Sequence, residues 1–142
     1  MALFDEEKIT RLSSEVFNAV ERLGELADLP RDEFVSNPHL VASAKYFLIV
    51  AIEAEIDMCT HVISKNKLRV PNDYADTFRV MGEAGFLDKE FVEQLVEMAK
   101  FRNRLVHIYW EVDDEVLYGI LREDMHDIKK FVDDFMQALK KK

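Results

Sequence analysis

Apolar residues recur at three- and four-residue steps along most of the chain. Ile9, Leu12, Val16, Val20, Leu23 and Leu26, flanked by Phe17 and Ala19, form one stripe. That spacing predicts a first helix from Asp5 to Leu29 with one buried face, ended by Pro30. Arg31 to Ser36 leaves room for one short turn. Asn37-Pro38 then joins a side-chain cap to a proline at the first helical position, which predicts a second long helix running to Lys65. Its apolar residues (Leu40, Val41, Ala44, Phe47, Leu48, Ala51, Ile52, Met58, Cys59, Val62 and Ile63) cover more than one stripe. A helix of that kind is central and touches several neighbours.

Lys65 to Asn72 reads as a basic loop ending in Val70-Pro71. A third, shorter helix is expected from Asp73 to Ala84, with Gly85 as its C-terminal cap. Asp88 is placed to cap a fourth helix, whose stripe is Phe91, Val92, Leu95, Val96, Met98 and Ala99. Asp113 or Asp114 is placed to cap a fifth, unbroken through Val116, Leu117, Ile120, Leu121, Ile128, Phe131, Val132, Phe135 and Leu139. Lys140-Lys141-Lys142 reads as a frayed end. The pattern predicts an all-α fold: a single domain over residues 1–142, an up-and-down bundle of four long helices plus a short one.

Composition agrees. The chain has 142 residues, 49% of them hydrophobic, with only four glycines and three prolines. That is enough to bury a core and too few turn residues for a β-rich fold. The net charge of -9 excludes nucleic-acid binding through bulk charge, so any RNA contact requires a local basic patch. Lys65, Lys67, Arg69 and Lys100 could supply one, with surface solubility as the plain alternative. The single Cys59 forms no intramolecular disulfide and offers no zinc cluster. Charges begin at Asp5, so nothing resembles a signal peptide, and no apolar run approaches the roughly 20 residues of a membrane span. A reducing cytoplasm is the expected location.

Polar residues in apolar positions are the informative ones. With Phe91 at 0° and about 100° per residue, the fourth helix's stripe lies between about -40° and 140°. Arg104 falls opposite, among Glu90, Glu93, Glu97 and Lys100, on a solvated face. Arg102 falls near about 20°, in the middle of the stripe. A buried arginine needs a carboxylate or an open cleft. Glu55, itself inside the apolar stripe of the second helix, is the expected partner if the role is purely structural. Asn103 and His107 are four residues apart and share a face, near about 120° and 160°. Arg102 and His107 are then about 140° apart on a straight helix, so they converge only if the helix end loosens, the arginine wraps, or a second subunit completes the site.

An arginine, an asparagine and a histidine suit phosphodiester cleavage without metal. Histidine can move protons near neutral pH, and arginine can hold the charge that develops on a phosphorane. No Ser-His-Asp set, Cys-His set or glycine-rich phosphate loop is present. Glu53, Asp57 and His61, at i, i+4 and i+8 on one helix face, could hold Mn or Mg, or could simply form a polar face or a dimer contact. A non-catalytic module that binds a nucleotide or a protein partner through the same cleft is the alternative of another class.

Arg102-Asn103-Arg104-Leu105-Val106-His107-Ile108-Tyr109 resembles the R-x4-H-x-Y motif of HepT-like proteins of the HEPN superfamily. Ala51 to Asp57 with His61-Val62-Ile63, Pro71 to Phe78, Met98-Ala99-Lys100-Phe101 and Val112-Asp113 are similar to phrases of the same family. The likeness covers most of the chain from Phe47 onward. It implies a helical bundle that dimerises, with Arg102 and His107 catalytic and facing a cleft between subunits; Asn103, on the same face as His107, is placed to orient the histidine or the substrate. It implies a metal-independent endoribonuclease, without a cofactor, that is the toxin of a toxin–antitoxin pair. The implied partner is a minimal nucleotidyltransferase antitoxin that can transfer AMP to Tyr109.

Overall fold

The computed structural model describes residues 2–141. They form α1 (Glu6–Ala27), α2 (Arg31–Val35), α3 (Pro38–Lys65), α4 (Tyr74–Glu83), α5 (Lys89–His107), a 3₁₀ turn (Tyr109–Glu111), α6 (Asp114–Glu123) and α7 (Met125–Lys141). No strand occurs among the described residues. The helix starts follow their caps. Asp5 accepts from the Lys8 N–H, Asn37 from His39 and Leu40, Asp73 from Asp76, and Asp113 from Glu115 and Val116. Each satisfies backbone donors that the first helical turn leaves free. Asp88 occupies the cap position of α5 but makes no side-chain capping bond. Gly85, just past α4, takes the left-handed conformation at φ 83° that a C-terminal glycine cap uses.

Two expectations need correction. The fifth helix is two helices. It breaks at Asp124, where the cap N–H returns to the Ile120 carbonyl and Asp127 N–H reaches the Asp124 carbonyl. The reason lies in the stripe. Asp124 falls within about 20° of Leu117, so one straight helix would bury a carboxylate. The break leaves Asp124 exposed while Leu117, Leu121 and Ile128 all stay buried. The C-terminal lysines also differ: α7 extends through Lys141, and Lys142 lies outside the described residues.

Helix α3 runs through the middle of the bundle, against α1, α4, α5 and α7, as its two-sided apolar pattern requires. Its neighbours meet over a core that includes Ile9, Leu23, Leu48, Ile52, Met58, Leu95 and Leu105, all fully buried. Phe78 of α4 packs edge-on against Phe131 of α7 at 5.9 Å between ring centroids, and Phe131 stacks on Phe135 at 5.4 Å. Pairs of this kind contribute roughly 0.5–1.5 kcal/mol beyond area burial. Gly82 lets α4 lie close to α5, since a Cβ there would stand 2.9 Å from a Val92 methyl. This seats α4 so that Tyr74, its first residue, reaches α5 at Arg102.

Candidate functional site

Helix α5 stays regular up to His107, and the Ile108 N–H still returns to the Arg104 carbonyl at 2.9 Å. The helix end therefore does not loosen before the histidine, and Arg102 and His107 remain about 140° apart on one chain. At Ile108 the backbone leaves helical geometry (φ -132°, ψ 44°), and Tyr109 opens the 3₁₀ turn. His107, Tyr109 and Trp110 are exposed there.

Arg102 is buried, as its place in the stripe requires, but Glu55 is not its partner. One Nη donates to the carboxylate of Glu53, and the other donates to Asn103 Oδ1 at 3.0 Å. The guanidinium carbon lies 4.7 Å from the centroid of the Tyr74 ring. Nε is buried and has no partner. Side-chain exposure is 10% for Arg102 and 43% for Glu53, so the pair is open to solvent along its acidic edge. The exposed member of the pair is the acid, not the guanidinium. On α3, Glu53 stands about 160° from Glu55, which explains why the two acids differ so sharply. Glu55 points into the bundle, with 0% exposure and no hydrogen-bond partner on either oxygen. Burial, and then the charge of Asp127, push its pKa well above the ordinary carboxylate value.

Asn103 touches the arginine of the motif. It accepts from Arg102 and lies about 40° from His107 around the helix, on the same side. Arg104 is exposed, with its guanidinium 5.9 Å from the Phe101 ring, on the solvated face expected for it. Among the basic residues expected to help an anion approach, Arg69 is occupied. It bonds Asp76 and Glu83 together and holds the Asp76 carboxyl down to about 2. Lys100 stands 3.5 Å from Glu97, and Lys65 and Lys67 are exposed.

Glu53, Asp57 and His61 do not act as a unit. Glu53 serves Arg102, and Asp57 is exposed. His61 is buried and accepts the Asp5 N–H at Nε2, 2.8 Å away, which fastens the chain before α1 to α3. Burial, then Lys8 and Lys65, lower its pKa, in keeping with a neutral ring that accepts a hydrogen bond. Among the described residues no group of three His, Cys, Asp or Glu side chains is placed to hold a metal ion.

Two residues of the site lie outside the Arg102–Tyr109 motif. Tyr74 reaches Arg102 only through the packing of α4 on α5. Lys45 of α3 is buried, and its Nζ donates to the Tyr109 carbonyl at 3.0 Å. The angular test that singles out Arg102 also singles out Lys45, which lies between Ala44 and Leu48 in an apolar stripe. A crevice of about 830 Å³ lies between α5 and α6–α7, with Leu48, Ile52, Phe101, Arg104, Val116 and Ile120 among its walls. Arg102 and His107 do not line it. No helix among the described residues is long and apolar enough to cross a membrane.

Comparison with known proteins bears on the family and the fold. A protein of Archaeoglobus fulgidus, whose name marks it as a candidate RNase, is 30% identical over 116 residues, covering 82% of this chain and 86% of its own. The mRNA nuclease HepT of Shewanella oneidensis is 25% identical over 81 residues, 57% of this chain and 61% of its own. Among solved structures, the tri-AMPylated HEPN toxin of Shewanella oneidensis, in complex with its MNT antitoxin, superimposes with a TM-score of 0.85 at 20% identity. That match covers 92% of this chain and 97% of that one. The model of the ribonuclease HepT-like family matches residues 16–135, which span the Arg102–Tyr109 motif and the helices that carry its partners, and this chain belongs to that family.

Proposed function

We propose that this chain is an endoribonuclease toxin that cleaves RNA through Arg102 and His107 without a metal ion. The observation that carries the reading is the pairing of a buried arginine, open at its acidic edge, with an exposed histidine at the end of the same helix. The RNA 2′-hydroxyl attacks the adjacent phosphorus and the P–O5′ bond breaks, leaving a cyclic phosphate and a free 5′-hydroxyl. His107 takes the 2′ proton, and a protonated histidine returns one to the departing oxygen. Arg102 stabilises the charge that builds on the phosphorane oxygens. Asn103 orients the histidine or the substrate.

The angular gap between Arg102 and His107 favours a homodimer, in which each cleft draws on both copies. Tyr109, exposed two residues beyond His107, is the acceptor for AMP from a minimal nucleotidyltransferase antitoxin. Adenylylation there would place a bulky anion at the mouth of the cleft. The Shewanella toxin, tri-AMPylated and bound to its MNT antitoxin, supports this pairing by likeness of fold. The pair would act in the cytoplasm.

The decisive experiment is RNA cleavage by purified wild-type chain and by His107→Ala. The variant should fold normally and lose at least about a hundredfold in rate, the scale of a general acid–base group. Cleavage at the wild-type rate by His107→Ala would overturn the assignment. If the wild-type dimer cuts no RNA and cells tolerate the chain alone, the non-catalytic binding module is the better reading.

A further inference from the structure

Lys45 is 4% exposed, and among the described residues no carboxylate pairs with it. Burying an ammonium group without an acid is costly, so its remaining contacts must offset that cost. Both of them are to one residue. Nζ donates to the Tyr109 carbonyl at 3.0 Å and sits 4.1 Å from the centroid of the Tyr109 ring.

Tyr109 stands where the chain leaves α5. The last carbonyls of a helix lack helical partners and carry the negative end of its dipole. Here the Arg104 carbonyl is taken by Ile108 N–H and the Ile108 carbonyl by Glu111 N–H at 2.8 Å, which winds the chain into the 3₁₀ turn. Lys45 brings a cation to this end from a different helix. It grips the first residue of the turn by both its backbone and its ring. Two grips on one residue fix its carbonyl and restrict its side-chain rotation. His107, the last residue of α5, lies two residues earlier and is joined to the turn through Ile108.

We propose that Lys45 is a positioning residue. It anchors the turn after α5 and so sets the orientation of the Tyr109 ring and, through the turn, of the His107 imidazole. Lys45 is too buried to meet substrate itself. The activity arm of its test rests on the ribonuclease reading; the arm that reads the order of the turn does not.

The test compares Lys45→Arg, Lys45→Gln and Lys45→Met in the full chain. Trp110 is the only tryptophan, follows Tyr109 directly and is 75% exposed, so its time-resolved fluorescence anisotropy reports the order of the turn independently of activity. Lys45→Arg keeps a cation and donors, and should retain wild-type anisotropy and kcat. Lys45→Gln and Lys45→Met should show faster local motion of Trp110 and about tenfold lower kcat for RNA cleavage, with KM little changed, since small displacements of a catalytic group are costly. If Lys45→Met does not fold, the Gln and Arg variants carry the comparison. Wild-type anisotropy and kcat in Lys45→Gln would overturn the proposal. So would an activity loss that merely tracks the folded fraction while Trp110 is unchanged. A wild-type chain that cuts no RNA, combined with a loosened Trp110 in Lys45→Gln, would sink the ribonuclease reading and leave the positioning role standing.

Discussion

Glu55 offers the sharpest quantitative test of how this bundle is built. Its carboxyl is fully buried, neither oxygen has a partner, and burial followed by the Asp127 charge raises its pKa well above 4.5. Raised in the folded state, this pKa contributes stability that is complete below about 4.5 and is lost as pH rises from there through the folded value, because the unfolded chain ionises first. Glu55→Gln keeps the shape and removes the ionisation. It should match the wild type near pH 4 and become progressively more stable than it as pH rises, by about 1.4 kcal/mol per pH unit across the window between the two values. Glu55→Met also removes the unpaired polar group, and an unbranched apolar side chain fits the same space. It should exceed Glu55→Gln by about 1–3 kcal/mol at every pH. For a chain of this length that corresponds to roughly 3 °C in melting temperature per kcal/mol. Urea denaturation at pH 4, 5, 6 and 7, followed by far-ultraviolet circular dichroism, measures both effects. A gap between Glu55→Gln and wild type that does not widen with pH would refute the reasoning, as would a Met variant less stable than wild type throughout.

Arg102 serves Glu53, Asn103 and the Tyr74 face at once, which a lysine cannot reproduce, so Arg102→Lys should lose about a hundredfold in RNA cleavage despite keeping its charge. Asp76 is held down to about 2, chiefly by its hydrogen bond from Arg69 and then by the Asn72 N–H, so its stabilisation is present above about 4 and is lost as pH falls through 2. Asp76→Asn should therefore melt a few degrees below wild type at pH 7, the two curves converging as pH approaches 2. Chelator should leave the cleavage rate unchanged; abolition by chelator would instead return attention to Glu53, Asp57 and His61.

Much of this molecule is fixed by local sequence. The helix starts at Asp5, Asn37, Asp73 and Asp113 follow from side chains that satisfy free backbone donors, and the helix faces follow from the spacing of apolar residues. The burial of Arg102 is legible for the same reason, since its bearing around α5 is set by residue number alone. The role of Tyr109 rests on the family likeness rather than on periodicity, His107 draws on that likeness and on Asn103, and Asn103 is singled out by its four-residue spacing from His107. Tertiary packing alone decides which acid meets Arg102. Periodicity places Glu55 on the buried stripe, but the distance between α3 and α5, and the rotation of one against the other, give the contact to Glu53. The same is true of the Tyr74 face and of the Lys45 grip on Tyr109, which join residues 28 and 64 positions apart. Even the break at Asp124 depends on what surrounds the stripe, because a carboxylate in an apolar register can be paired, buried neutral or turned out to water. The chain leaves Glu55 buried without a partner and turns Asp124 outward; side-chain spacing gives bearings around each helix, whereas these outcomes depend on distances between helices.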